Sequence, residues 1–339
     1  KLPTSCRKTA TMRQPQSRGN LMSNLGLKKD DRVLITGGTG LIGTNLRERL
    51  QADGHEVLAP GSGQYDLRDP GATRSLFGDF RPTFVFHLAA KVGGIYANSA
   101  YKAEFYSDNV LINTHVVNES VRHGVRYLFA MGTGCAYPKR LEGEVLREAD
   151  FLDGIPEVTN DAYAYAKRGM LVHLQALLES ERMDYCYCLP ANIYGPHDNF
   201  HPTHSHVVPG LIRRFCEAAD NEAEYVSIWG DGSAQRDFLY IGDCIDAIAV
   251  LAREAYSGPV NVARGELTRI SALADAIRTA AGFAGEIRYD TSYPAGQRLR
   301  VMDTAKMDAL GWRPRVGLSE GIGTTIEWFR ANAELIRER

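Results

Sequence analysis

The chain has 339 residues, 44% of them hydrophobic and 24% charged, at a formal net charge of −2. That is enough apolar material for one large domain or two intimate ones, with no apolar run near the roughly 20 residues that a membrane-spanning helix needs. The near-neutral charge argues against a nucleic-acid polyanion as partner, and 14 prolines and 33 glycines without a short period exclude collagen-like and low-complexity chains.

Residues 1–24 stand apart. They carry Lys1, Arg7, Lys8, Arg13 and Arg18, no acid, and no hydrophobic periodicity. Such a basic, Ser-containing stretch reads as a disordered leader: a transit peptide, a remnant of an added segment, or sequence upstream of a start at Met22. From Asp31 the pattern becomes regular. Arg32–Thr36 is a short apolar run of the kind buried in a parallel sheet, followed by a helical pattern over Leu41–Asp53 and a second strand at His55–Ala59. Further strands are predicted at Thr83–Ala89, Arg126–Met131 and Tyr185–Leu189, with helices between them. This alternation predicts an α/β fold with a doubly wound parallel sheet. After Gly195 the sequence loosens into a Pro/His loop, then offers a strand at Tyr225–Trp229 and a helix at Ile241–Glu254, with a mixed C-terminal third forming a smaller cap. The expected division is a dinucleotide-binding part, 25–195 plus 236–265, and a substrate-binding part, 196–235 plus 266–335.

The first strand runs straight into Gly37-Gly38-Thr39-Gly40-Leu41-Ile42-Gly43. Glycines at 37, 40 and 43 permit a tight turn, close approach of the backbone to a pyrophosphate, and packing of helix on sheet, and the N–H groups at the helix start meet the phosphate charge. An acid at the end of the second strand would take the ribose 2′-hydroxyl of NAD, but here that strand ends Leu58-Ala59-Pro60-Gly61-Ser62, with neither acid nor arginine. NADP is therefore allowed but not demanded. Asp66 is better placed for the adenine amino group than for the ribose.

Tyr163 and Lys167 stand four apart on a predicted helix and so share a face, setting the lysine beside the phenol. A free phenol has a pKa of about 10 and needs a neighbouring cation to relay protons near neutrality. About 30 residues earlier, Gly132-Thr133-Gly134-Cys135 ends a strand, so a second hydroxyl can join the pair.

The six cysteines, Cys6, Cys135, Cys186, Cys188, Cys216 and Cys244, are scattered and form no CxxC pair, which predicts reduced thiols in a cytoplasmic protein. His197, His201, His204 and His206 are close enough in sequence to suggest a metal, but there is no HExxH helix or partnering cysteine, and no metal is expected.

Together the glycine turn, the Tyr163…Lys167 pair, His87-Leu88-Ala89-Ala90 and Arg236-Asp237-Phe238 before Tyr240-Ile241-Gly242-Asp243 resemble the extended short-chain dehydrogenase/reductase family. Two longer stretches, Cys135-Ala136-Tyr137-Pro138-Lys139 and Asn192 to Pro202 followed by Ser205-His206-Val207-Val208-Pro209, are similar to its GDP-L-fucose synthase branch. That resemblance implies NADPH-dependent 3,5-epimerisation and 4-reduction of GDP-4-keto-6-deoxy-D-mannose in a homodimer. It implies Cys135 as base, His206 as acid, and Tyr163 with Lys167 and Thr133 at the carbonyl. Ala89, Pro190, Asn192, Ile193 and His206 would contact the dinucleotide beside the glycine turn, and Arg214, Trp229, Arg236 and Arg300 the GDP-sugar. Thr133 stands where the branch usually has serine, and Leu299 where it has arginine. The alternatives are a reductase or epimerase of a related GDP-4-keto sugar, such as a heptose derivative, and a non-catalytic dinucleotide sensor.

Overall fold

The computed structural model describes residues 25–292 and 301–337, so the leader, Cys6, Leu299 and Arg300 lie outside the described residues. In chain order the elements are β1 (Arg32–Thr36), α1 (Leu41–Ala52), β2 (Glu56–Leu58), α2 (Pro70–Phe80), β3 (Phe84–His87), α3 (Ile95–Ala100), α4 (Lys102–Arg122), β4 (Tyr127–Met131) and β5 (Val145–Leu146). The chain continues through α5 (Asp161–Glu179), β6 (Asp184–Pro190), β7 (Asn192–Tyr194), α6 (Val207–Asp220), β8 (Tyr225–Trp229), β9 (Gln235–Arg236), β10 (Phe238–Tyr240) and α7 (Ile241–Arg253). It ends with β11 (Gly258–Val262), β12 (Thr268–Arg269), α8 (Ile270–Ala281), β13 (Glu286–Asp290), β14 (Val301–Met302), α9 (Ala305–Ala309), α10 (Leu318–Ala331) and α11 (Ala333–Arg337).

The predicted sheet forms. Six strands lie in the order β11-β6-β4-β3-β1-β2, every pairing parallel. Both faces are covered, which is why these strands read as continuous apolar runs rather than alternating ones. On one face Leu34, Val85, Leu128 and Leu189 pack with Leu171 and Leu174 of α5 and Val116 and Val117 of α4. On the other, Val33, Ile35, Phe86 and Phe129 pack with Leu46 of α1 and Ile248 and Leu251 of α7. The polar ends of three strands are tied together: Asp31, 3% exposed, accepts from Arg126 and from the Thr83 hydroxyl at 2.7 Å.

A third core joins α6, α8 and α10 to β8 and β13, with Phe215, Leu211, Leu273, Ile277, Ile322 and Ile326 at its centre. The sequence reading places 266–335 in this second unit. Part of that stretch packs elsewhere, because its apolar side chains find the main sheet: Met302 joins the first core, and Met307 and Trp312 the second. Among the described residues no helix is long and apolar enough to cross a membrane.

Candidate active site

The glycine turn is built by contact as much as by dihedral angle. Gly37 sits at φ +72°, the left-handed region open to glycine. A Cβ on Gly38 would come within 2.5 Å of Ala59, and one on Gly43 within 2.2 Å of the Gly37 carbonyl. α1 therefore lies directly on the turn, and the turn on the end of β2. Gly40, the N-cap, has no side-chain hydrogen bond, and the first turn of α1 carries no acid. A Cβ there would meet only the Gly37 carbonyl oxygen, at 3.5 Å. The helix start thus keeps its unpaired N–H groups and positive dipole end open to the cleft, which fits a dinucleotide pyrophosphate.

A buried hydrogen-bond chain runs from this turn to the helix bearing Lys167. The Thr36 hydroxyl accepts from the Ala89 N–H at 3.3 Å and lies 2.8 Å from His87 Nδ1; with the neutral ring's proton on Nε2, facing the Asn113 oxygen, the hydroxyl donates to Nδ1. His87 Nε2–H then donates to Asn113 Oδ1 at 3.1 Å, and Asn113 Nδ2 donates to the Ala166 carbonyl at 3.4 Å. Burial first, then the charge of Lys167, pushes His87 down to about 3, so the ring stays neutral and this tautomer is fixed.

β4 ends at Met131, and the chain then turns through a short 3-10 segment, Gly134–Ala136. The Thr133 hydroxyl caps it by accepting from the Cys135 N–H at 3.2 Å. Two residues with no role in the sequence reading hold this turn. Asn160 donates to the Cys135 carbonyl at 3.1 Å, and Arg168 donates to the carbonyls of Ala136 at 2.8 Å and Gly154 at 2.5 Å.

Lys167 faces the ring of Tyr163, its ammonium 5.9 Å from the centroid, and it also donates to the Met131 carbonyl at 2.8 Å. The strand end draws it inward, and the side chain is 1% exposed. Burial pushes its pKa down to about 7, so the ammonium is present below pH 7 and lost above it. Tyr163 moves the other way: burial, and then the adjacent Cys135, raise its pKa well above the usual phenol value, which keeps the hydroxyl protonated as a donor. The expected result is a kcat/KM for the dinucleotide that falls as pH rises through about 7, because that ratio reports the free enzyme. Lys167→Arg, permanently charged, should remove that limb from the pH profile; an unchanged limb would clear Lys167.

The loop after β7 brings His206 to the N-cap of α6, where desolvation lowers its pKa. An anionic ligand nearby would favour its protonated, proton-donating form. In the same loop the sequence reading gave Asp198 no separate role, yet burial pushes its carboxyl up to about 7. Arg214 is held by the carbonyls of Ser227 at 2.7 Å and Gly210 at 3.3 Å, and Arg236 donates to the Gln235 carbonyl at 2.8 Å. Trp229 is 57% exposed.

These groups open onto one cleft of about 2330 Å³. Its walls include Gly37, Thr39, Gly40, Leu41, Ile42, Gly43, Asp66 and Ala89 at one end. Thr133, Cys135, Tyr163, Lys167, Pro190, Asn192, Ile193 and His206 lie between, and Arg214, Trp229 and Arg236 at the other end. One expectation differs: Gly38 is buried beneath the turn instead of on the wall, since its space is taken by Ala59. Asp66 lines the cleft and is also held two-pronged by Arg68, which keeps its carboxyl down at about 2.

A glycine-turn dinucleotide cradle, a Tyr/Lys pair with its lysine buried, and a second lobe closing the same cleft define a nucleotide-binding oxidoreductase of the doubly wound class. Residues 33–263 match the NAD dependent epimerase/dehydratase family, and the chain belongs to it. It is 38% identical over 309 residues to the putative GDP-L-fucose synthase 2 of Arabidopsis thaliana, covering 90% of this chain and 94% of that one. It is 34% identical over 317 residues to the GDP-L-fucose synthase of Escherichia coli (strain K12), covering 90% and 98%. Its structure superposes with a TM-score of 0.82 on a crystal structure of a GDP-L-fucose synthetase from Naegleria fowleri bound to NADP, at 30% identity, covering 92% and 96% of the two chains.

Proposed function

We propose that the chain converts GDP-4-keto-6-deoxy-D-mannose into GDP-L-fucose, inverting C3 and C5 and reducing C4, with NADP(H) as cofactor. One observation carries this reading: Cys135 and His206 open onto the cleft that holds Tyr163 and Lys167. A simple reductase needs only a donor at the carbonyl oxygen. A thiol and an imidazole in addition supply a base and an acid for a carbon centre.

The C4 carbonyl acidifies the protons on C3 and C5. Cys135 removes each proton, His206 returns one to the opposite face, and the Tyr163 hydroxyl holds the oxygen on which enolate charge collects. The bound dinucleotide supplies hydride to C4. Tyr163 gives its proton to O4, and the Lys167 ammonium stabilises the phenolate left behind. Arg214 and Arg236 suit a diphosphate, and the exposed Trp229 side chain suits a purine ring.

The test is NADPH absorbance after adding GDP-4-keto-6-deoxy-D-mannose, with the sugar product identified by NMR. Oxidation with a GDP-L-fucose product is expected. Oxidation without inversion, or only with another GDP-4-keto sugar, would overturn the assignment of substrate and epimerase activity.

We further propose a homodimer. α4 and α5 pack side by side, and Tyr106 and Leu111 on one and Tyr165 and Val172 on the other are exposed, an apolar face suited to a second copy. Sedimentation should give a dimer that Leu111→Glu with Val172→Glu converts to monomer; a monomeric wild type would refute it. The five described cysteines are unpaired, which suits a cytoplasmic setting.

A further inference from the structure

We propose that Asp237 is a proton store for Cys135, reached through a small cavity that both residues border. The proposal rests on the reading of Cys135 as base and adds how one thiol serves two carbon centres.

Inverting both C3 and C5 asks one thiolate to remove two protons while the same sugar stays bound. After the first removal Cys135 is a thiol and no longer a base, and the seated sugar covers the cleft through which it would meet bulk water. His206 differs, because it is exposed and can be refilled with protons from solvent.

A second outlet lies beside Cys135. A cavity of about 30 Å³ is bordered by Thr133, Cys135, Asn192, Asp237 and Met302, with room for about two waters. Thr133, Cys135 and Asn192 also border the large cleft, whereas Asp237 and Met302 do not. Cys135 thus adjoins both the substrate space and a cavity shared with a buried carboxylate. Asp237 is 2% exposed. Its two oxygens accept from the Arg264 N–H at 3.0 Å and the Gly265 N–H at 2.7 Å, which leaves each a further lone pair. Its carbonyl accepts from the Asn192 N–H at 3.1 Å and side-chain amide at 2.9 Å, tying it to a wall of the same cavity. Burial outweighs the two N–H bonds and the Arg264 charge, Glu266 adds to the rise, and the carboxyl is pushed up to about 6. It is ionised at neutral pH and close to taking a proton. In the transfer the Cys135 S–H gives its proton to a cavity water, and that water gives one to the Asp237 carboxylate. A thiolate, a water and a carboxylic acid result. When the product leaves, the stored proton returns by the same water to Cys135 and solvent.

The experiment is NMR of GDP-4-keto-6-deoxy-D-mannose in heavy water with the full chain in excess and NADP⁺, which has no hydride to give. Deuterium should enter both C3 and C5 with the wild type. Asp237→Asn should deuterate the first carbon within about threefold of the wild-type rate and slow the second more than tenfold, and Asp237→Glu should restore the second. Equal slowing at both carbons, the mark of a purely structural role, overturns the proposal, as does wild-type exchange at both. Should Asp237→Asn fail to fold, sugar deuterated at C3 and C5 is given to the wild type in ordinary water. The starting sugar recovered should have lost label, because the thiol clears its deuteron; label retained overturns the proposal. No exchange at either carbon with the wild type overturns the epimerase reading and this proposal with it.

Discussion

Tyr163→Phe should lower the rate of NADPH oxidation by about 10²–10⁴-fold, the range for loss of a positioned general acid, while leaving dinucleotide affinity within about twofold. In the proposed mechanism the phenol is the proton source. Burial keeps it protonated, Phe105 meets its ring edge-on with centroids 6.5 Å apart, and Lys167 lies over the same ring. Phenylalanine preserves the ring contacts and removes only the hydroxyl, so folding and cofactor binding serve as internal controls. Single-turnover absorbance with saturating sugar measures the step directly. A variant that oxidised NADPH within about threefold of wild type would show that another group protonates O4. In the same mechanism this hydroxyl holds the enolate oxygen, so hydrogen exchange at C3 and C5 should slow as well.

Cys135→Ser is expected to separate the two chemistries. A serine hydroxyl is a far weaker base than a thiolate, so proton removal from C3 and C5 should fall by about 10²–10⁴-fold, while Tyr163 and Lys167 still support reduction. The product should be a 4-hydroxy sugar that keeps its original C3 and C5 configuration. Deuterium incorporation at those carbons in heavy water, followed by NMR, reads the first effect, and NADPH absorbance the second. The turn should survive, because it is held through backbone groups: the Cys135 N–H to Thr133 and the Cys135 carbonyl to Asn160. Deuterium entering at the wild-type rate would remove Cys135 from the base role.

The central sheet was legible because its strands are buried on both faces, and uninterrupted runs such as Arg32–Thr36 and Tyr127–Met131 have few other uses. The pairing of β8 with β13 was not: β13 is largely exposed along Glu286–Asp290, and its apolar pattern is too thin to read as a strand. β5 and β14 are two residues each and lie more than 150 positions apart, which leaves no local signal. At the site, the glycine turn and the Tyr163/Lys167 spacing are local and were readable. What fixes Cys135 is not local. Asn160 reaches its carbonyl across 25 positions and Arg168 the adjacent Ala136 carbonyl across 32, and neither belongs to a motif. The bond from Lys167 to the Met131 carbonyl was not readable for a related reason: helical spacing sets which face a side chain leaves from, and a carbonyl at the end of β4 decides where its tip goes.

The strand order has a consequence for synthesis. β6 is the inner neighbour of β11, so until Gly258–Val262 has left the ribosome, Cys186, Tyr187, Cys188 and Leu189 form the open rim of an unfinished sheet. In the completed protein all four are fully buried. During translation they present unpaired backbone and two thiols together, the kind of edge on which chains associate wrongly or oxidise. A nascent chain therefore gains its shelter only when about three-quarters of it has been made, and the short segment from Gly258 to Val262 acts as the closing stave of the sheet.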